Sequence, residues 1–312
     1  MNVYAIMGRR QPMGNNLLLI VNPAAGMGRG KTLKDEIAHM YQRYGWNVDI
    51  CETAGAGDAA RFAQEESDGH NMLMCVGGDG TLSETLGGLT KLPDAPPLCY
   101  VPMGSTNDLA LSAGLPHDPM SAAAVGLAGN PTPMDAGDFN GRVFSYVASF
   151  GAFTRTSYET DRALKNKLGH LAYILTGAQE LTRIQSYEVT VDLPEETIEG
   201  EFFFGAFCST RSLGGMVKLP MEEDGLHDGK HELLMVRRPR SITDLSGILP
   251  SMLAGSYDHP LVVYRHVEKA VFHMPEPMPW SLDGERGDAG TEVRVRNLPS
   301  AYRLMLPGSK ER

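Results

Sequence analysis

The sequence predicts an α/β N-terminal domain with a parallel sheet, followed by a mainly antiparallel β-sandwich domain. Three observations carry this expectation. From about residue 16 to residue 130, short apolar runs alternate with amphipathic segments of helical period. After Asn130-Pro131-Thr132-Pro133 the helical period gives way to short strand-like runs separated by Gly, Pro and Asp. The chain, at 312 residues, is long enough to bury two cores. The expected division is 15–130 and 131–299, with a tail, 300–312, whose apolar run 302–306 is placed to return to the first domain.

The elements follow in order. Residues 17–21 (LLLIV) read as a buried strand, and 31–44 as a helix with Leu33, Ile37 and Met40 on one stripe. A second strand is expected at 47–52, then a helix at 58–66 with Asp58 as its N-cap. A third strand at 72–76 leads into a helix at 82–89. A fourth strand at 98–102 precedes a helix at 122–128. Strands alternating with helices imply a sheet covered on both faces. In the second half, strands are expected at 143–148, 187–193, 201–208, 231–236, 261–264, 270–273 and 292–296. Helices are expected around 161–181 and 242–253.

Composition narrows the function. Hydrophobic residues make up 42% and charged residues 21%, an ordinary globular balance. A formal charge of −10 argues against broad nucleic-acid binding, since a polyanion seeks a basic face. Local basic clusters stand out at Arg9-Arg10 and at Arg237-Arg238-Pro239-Arg240. Cys51, Cys75, Cys99 and Cys208 form no C-x-x-C pair, which points to reduced structural thiols in a cytoplasmic protein. No apolar run approaches the ~20 residues that cross a bilayer, so membrane contact is expected to be peripheral.

Three loops carry the chemistry. In Val76-Gly77-Gly78-Asp79-Gly80-Thr81 a strand runs through glycines into a helix. Glycines let backbone N–H groups approach phosphate oxygens, and a helix N-terminus favours the same anion. Asp79 is placed there to hold Mg²⁺ through water or to orient a hydroxyl. The second loop, Asn22-Pro23-Ala24-Ala25-Gly26-Met27-Gly28-Arg29-Gly30-Lys31, lacks the spacing of a Walker A loop but puts Arg29 or Lys31 near a phosphate. The third, Pro102-Met103-Gly104-Ser105-Thr106-Asn107-Asp108, offers hydroxyls and an amide for nucleotide contacts. All three leave the carboxyl ends of strands, where open parallel sheets bind ligands.

N-P-x-x-G, G-G-D-G-T and P-x-G-[ST]-x-N-D, in this order, resemble the diacylglycerol kinase catalytic family, to which sphingosine kinases are related; NAD kinases share the G-G-D-G-T loop and two-domain plan. The resemblance continues through Asp135 with Gly137, Asp228-Gly229 and Leu282-Asp283-Gly284-Glu285. Thr154-Arg155-Thr156-Ser157-Tyr158-Glu159-Thr160 with Ala172-Tyr173 is similar to the soluble bacterial enzymes in particular. It spans roughly residues 16–307.

The resemblance implies an ATP-binding first domain, a lipid-substrate second domain, and ATP with Mg²⁺ as cofactors. Asn22, Pro23, Ala24, Ala25, Gly26, Thr53, Gly77, Gly78, Asp79, Gly80, Thr81, Leu82, Ser83 and Ser105 match its ATP-binding positions. Glu285 matches the proton acceptor, with Asp283 beside it and Asp79 facing them across a cleft. Gly225, Asp228 and Lys230 match a Mg²⁺ site in which two ligands are main-chain carbonyls. Asp108 and Asp135 complete an acidic network around Asp79. Two positions depart from the pattern: Ser83 stands where many members have Asn, and Met27 where the soluble bacterial enzymes have Lys.

The expected activity is phosphorylation of the hydroxyl of diacylglycerol, giving phosphatidic acid. The alternatives are a kinase for a sphingoid base or another lipid alcohol, an NAD kinase, and a silent lipid- or nucleotide-binding regulator. The late Asp-Gly-Glu speaks against an NAD kinase. The partner is a lipid at a membrane surface, with Arg237, Arg238 and Arg240 as contacts; a homodimer is left open. Histidines at nine positions show no metal-ligand spacing, and no G-x-S-x-G elbow supports a hydrolase. Methionines near 216–221 are candidates for lining a lipid pocket.

Overall fold

The computed structural model describes residues 15–105, 107–151, 185–213, 217–220 and 225–308. Arg9-Arg10, Thr106, the 154–160 segment, Ala172-Tyr173, the helix expected at 161–181, and Met216 and Met221 lie outside the described residues. The chain divides into two compact units, Met1–Met134 with Ser300–Arg312, and Asp135–Pro299.

The first unit alternates strand and helix: β1 (Asn15–Val21), α1 (Gly30–Arg43), β2 (Trp46–Glu52), α2 (Asp58–Glu65), β3 (Met72–Gly77), α3 (Asp79–Leu89), β4 (Leu98–Pro102), α4 (Asp108–Ser112) and α5 (Pro119–Ala128). The strands lie in the order β2-β1-β3-β4, all parallel. The run Leu17–Val21 is buried on both faces, as a central parallel strand must be. Leu17, Leu19 and Val21 join Leu33, Ile37 and Tyr41 of α1 and Ala122 and Ala123 of α5 in one cluster. Burying each such aliphatic side chain stabilises the unit by roughly 1.5–3 kcal/mol. Helices α2 and α3 pack so closely that a Cβ on Gly88 would collide with the carbonyl of Ala60.

Local chemistry moved several boundaries. The stripe of α1 also takes in Tyr41, whose hydroxyl donates to the carbonyl of Ala123 at 2.8 Å, with Met40 half-buried against the same cluster. Asp58 is not the N-cap of α2. Gly57 holds that place at φ +86°, while the Asp58 carboxylate reaches back to the amides of Ala54 and Gly55 at 2.8 and 3.1 Å. The free amides of Gly57 and Ala59 are met instead by Glu84 of α3. Helix α3 begins at Asp79, three residues before its apolar run, since glycine and an acidic first turn tolerate and favour a helix start there. The Asp118 side chain caps α5 through the amide of Ser121 at 2.8 Å.

The second unit is strand-rich. The chain enters it within β5 (Asn130–Phe139), a strand whose opening prolines had marked a turn, and leaves it within β17 (Glu292–Leu306). Between them lie β6 (Arg142–Phe144), β7 (Val147–Gly151), β8 (Tyr187–Asp192), β9 (Thr197–Cys208), β10 (Ser212–Leu213), β11 (Val217–Lys218), β12 (His231–Arg237), α6 (Ile242–Leu253), β13 (Val262–Val267), β14 (Lys269–His273), β15 (Trp280–Leu282) and β16 (Glu285–Gly287). Among the described residues the pairings β5–β6, β7–β9, β7–β15, β8–β9, β8–β14, β9–β12, β12–β13 and β15–β16 are antiparallel. The long β9 pairs with β8 along its first half and is flanked by β7 and β12 along its second. That sharing joins the layers into one array rather than two separate sheets. One face encloses Phe144, Phe150, Phe202, Phe207, Phe272 and Trp280. The other packs Leu234 and Val236 of β12 under Ile248 and Met252 of α6.

The strand expected at 143–148 is two strands, broken at Ser145 and Tyr146, and the break belongs to the site described next. The runs 292–296 and 302–306 are one strand: its start pairs with β14, and Leu304 lies opposite Leu98 of β4 in the first unit.

Candidate active site

In the first unit the three glycine-bearing loops meet at the carboxyl ends of β1, β3 and β4. The Asn22 amide donates to the carbonyl of Val76 at 2.9 Å, and the Gly26 amide to that of Met103 at 3.1 Å. The Met103 amide in turn donates to Gly77 at 2.8 Å. The Asn22 side chain accepts from the amide of Ala24 at 3.0 Å and donates to the Thr81 hydroxyl at 3.2 Å. Gly26, Met27 and Gly28 have φ of +60°, +61° and +86°, so the loop turns through three successive left-handed residues. Met27, at its tip, is 92% exposed. A Cβ on Gly104 would lie 2.9 Å from the Cα of Gly78, so two loops touch only because both residues lack side chains.

Asn107 is the residue whose role the sequence concealed. Its amide, expected to face a nucleotide, is spent within the loop: Oδ1 accepts from the Gly104 amide at 2.9 Å and Nδ2 donates to the Gly104 carbonyl at 3.0 Å. Tyr100 of β4 donates to the same Oδ1 at 3.4 Å. Held at φ +51°, Asn107 directs its own backbone N–H to Oδ2 of Asp79 at 3.2 Å. Asparagine's tolerance of left-handed backbone was the one available signal.

The other matched positions fall around this cluster with different exposures. The Thr53 amide donates to the carbonyl of Val21 at 2.9 Å, beside the first loop, and Ser105 is exposed. Pro23, Ala24, Ala25 and Gly80 lie at the surface of the loops or half-buried. Leu82 is wholly buried and Ser83 nearly so, which leaves their side chains in the helix packing. Asp108, first residue of α4, is also buried. The Arg29 guanidinium is exposed and its charge helps hold the Asp118 carboxyl below the usual range, after the hydrogen bonds from Ser121.

In the second unit the Leu282-Asp283-Gly284-Glu285 segment is the turn of the β15–β16 hairpin. Asp283 and Gly284 have φ of +51° and +88°, both positive as a type I′ turn requires. The Asp283 carboxylate is buried and accepts four hydrogen bonds. They come from the amides of Ser145, Tyr146 and Val147 at 2.5, 3.0 and 3.0 Å, and from the Ser145 hydroxyl at 2.9 Å. Burial pushes its carboxyl up from the ordinary range, and the donors pull it back. Those donors break the expected 143–148 strand. With its oxygens so engaged, the Asp283 carboxylate anchors the turn. Glu285, first residue of β16, keeps a side chain 48% exposed, with the Arg142 guanidinium 3.1 Å away. Arg142 also donates to the carbonyl of Arg286 at 3.0 Å, gripping the same strand.

Asp135 lies in this unit, where its Oδ2 accepts from the Gly229 amide at 2.8 Å and from Asn297 Nδ2 at 3.1 Å. Asn297, 162 residues away, had no sequence signal. The turn it steadies carries Gly225, Asp228 and Lys230. Asp228 accepts the Lys230 amide at 2.9 Å on Oδ1, and His266 Nε2 stands 3.1 Å from Oδ2. Behind this turn, burial pushes the Glu232 carboxyl up to about 8 and the His231 imidazole down to about 3. His231 stacks on Phe207 with ring centroids 4.6 Å apart, which suits its neutral form. Among the described residues no group of three His, Cys, Asp or Glu side chains is arranged to hold a metal. None of the four cysteines is in a disulfide.

A two-unit chain with glycine loops meeting at the ends of a parallel sheet, and a half-exposed carboxylate on a separate β-rich unit, has the form of a phosphoryl-transfer enzyme. The family model for the diacylglycerol kinase catalytic domain matches residues 16–139. A diacylglycerol kinase of Staphylococcus carnosus is 31% identical over 274 residues, covering 86% of this chain and 88% of that protein. One from Bacillus subtilis is 29% identical over 272 residues, covering 86% and 89%. The fold is that of a diacylglycerol kinase crystal structure from Bacillus anthracis, with a TM-score of 0.74 at 20% identity, covering 96% of this chain and 99% of that one. The chain therefore belongs to the diacylglycerol kinase catalytic family and is a lipid kinase. No helix among the described residues is long and apolar enough to cross a membrane.

Proposed function

We propose that this lipid kinase transfers the γ-phosphoryl group of ATP, with Mg²⁺, to the free hydroxyl of diacylglycerol, giving phosphatidic acid and ADP. The observation that carries the reading is the meeting of Asn22–Gly26 and Gly77–Thr81 with Met103, Gly104 and Asn107 around Asp79. The Gly78–Gly104 approach leaves backbone rather than side chains facing the loop mouth, the surface a polyphosphate needs. The acceptor is inferred from the names of the relatives in Staphylococcus and Bacillus.

The proposed division of labour follows the geometry. Asn22, Gly26, Gly77, Gly78 and Thr81 cradle the phosphates, and Asp79 is oriented toward them by the Asn107 N–H. Glu285 takes the proton from the acceptor hydroxyl as its oxygen forms the bond to phosphorus and the bond to the ADP oxygen breaks. Arg142 holds that carboxylate, and Asp283 holds the turn that carries it. Phosphoryl transfer asks the protein for positioning and charge neutralisation more than for covalent chemistry, and Mg²⁺ supplies the neutralising charge when bound.

The Asp228 turn fits a Mg²⁺ ion by donor chemistry. One carboxylate and the carbonyl oxygens of Gly225 and Lys230 would supply hard oxygen donors of the kind that leave Mg²⁺ several waters.

The test is transfer of labelled γ-phosphate to a panel of diacylglycerol, monoacylglycerol, ceramide, sphingosine and NAD⁺, with and without Mg²⁺. Labelled phosphatidic acid formed only with Mg²⁺ is the expected product. Preferential labelling of sphingosine or NAD⁺ overturns the acceptor.

A further inference from the structure

No other four-residue window of this sequence holds three cationic residues; Arg237-Arg238-Pro239-Arg240 does, in a chain with 28 basic and 38 acidic side chains. The structure places all three arginines around one open groove of about 740 Å³, lined also by Gly200, Glu201, Asp244 and Leu261. The groove lies where β12 turns toward α6. We propose that this groove is the docking surface of the kinase for a bilayer of anionic phospholipid, its arginines receiving headgroup phosphates.

The arginines are held in place before any ligand arrives. Arg237 lies across β9 with its guanidinium 5.0 Å from the centre of the Phe202 ring, donating to the carbonyl of Glu199 at 2.8 Å. It fits because Gly200 has no side chain: a Cβ there would strike the guanidinium. The Arg238 amide donates to the carbonyl of Glu201 at 2.8 Å, and its guanidinium sits 2.7 Å from the Glu201 carboxylate. Arg238 is nevertheless 39% exposed, and such surface pairs are worth about 0–1 kcal/mol, so a phosphate can take over the guanidinium at little cost. Asp244 is committed elsewhere, accepting the amides of Arg240 and Ser241 in the capping box of α6. Arg240 is exposed and its guanidinium makes no hydrogen bond among the described residues. Proline at 239 fixes the backbone between the last two arginines.

The occupant follows from charge and from the class of enzyme. A lipid kinase must meet its acceptor at a bilayer, yet a net charge of −10 is repelled by an anionic leaflet. Contact then requires a local cationic patch, and guanidinium groups match phosphate oxygens in pairs. The apolar lip at Leu261 borders the same opening.

The experiment is co-sedimentation of the full chain with mixed phosphatidylcholine–phosphatidylglycerol vesicles and with pure phosphatidylcholine vesicles, at low and high salt. The variants are Arg238→Ala/Arg240→Ala and Arg240→Glu. Each arginine near an anionic surface contributes about fivefold, so the double variant should bind mixed vesicles about 25-fold more weakly. Binding by the wild-type chain should fall with salt and be weak on pure phosphatidylcholine. Thermal unfolding and turnover of a short-chain, water-dispersed diacylglycerol should be unchanged in both variants. Equal partitioning of variant and wild type, or equal binding to the two vesicle types, overturns the proposal. So does binding to an acidic protein surface, but not to vesicles, that the same variants abolish. A wild-type chain that binds mixed vesicles but phosphorylates no diacylglycerol leaves the docking surface standing and overturns the acceptor instead.

Discussion

Replacing Asp283 by Ala separates an anchoring carboxylate from a reacting one. The substitution removes the acceptor of three consecutive amides, Ser145, Tyr146 and Val147, and of the Ser145 hydroxyl, in a site that is 4% exposed. Each buried donor left without a partner costs about 1–3 kcal/mol. The three amides share one void and some water will enter it, so the sum is less than additive, on the order of 3–6 kcal/mol. For a chain of this size 1 kcal/mol moves the midpoint by about 2–4 °C, so Tm should fall by roughly 6–24 °C. Glu285→Gln is the companion. It weakens a half-exposed ion pair with Arg142, which is worth about 0–1 kcal/mol, so Tm should fall far less than in Asp283→Ala while ATP-dependent lipid phosphorylation collapses. The assays are calorimetric unfolding and labelled-phosphate transfer on the same preparations. An Asp283→Ala chain with unchanged Tm and no activity would refute the anchoring argument, because the carboxylate would then be reacting rather than holding the turn.

Three further outcomes are expected. Gly104→Ala places a Cβ 2.9 Å from the Cα of Gly78 and 2.8 Å from Asn107 Oδ1, so the loops must separate; KM for ATP should rise at least tenfold, about 1.4 kcal/mol, with some loss of Tm, as read by steady-state kinetics and thermal unfolding. His231 has its pKa lowered from 6.5 to about 3 by burial, so the stability its neutral ring allows is present above pH 6.5 and is lost as pH falls toward 3. The limit is roughly 5 kcal/mol, and His231→Phe should show a smaller loss of stability across that window in denaturant titrations. The Cys75 and Cys99 thiols are pushed up to about 12 by burial, so a thiol reagent at neutral pH should label half-buried Cys51 first and those two only on unfolding.

Much of the first unit was legible because its signals are local. A strand ending in Gly77-Gly78 and a helix opening at Asp79 need only near neighbours to be recognised, and the parallel sheet follows from their alternation. The bounds that shifted were those where a distant group intervened. Glu84 of α3 caps α2, and the Asp283 carboxylate splits one expected strand into β6 and β7. The sequence by itself determined which residue types stand at the loop mouths, since glycine, asparagine and aspartate at strand ends carry backbone requirements that few other residues meet. Only the tertiary structure decided how adjacent acids divide their work. Asp283 and Glu285 are two residues apart, yet one is sealed under amides 136–138 residues away and the other faces Arg142 with half its surface in water. Hydrogen bonds of that span leave no periodicity in the chain, because burial and partner are set by packing, and packing alone distinguishes a carboxylate sealed under amides from one that keeps half its surface in water.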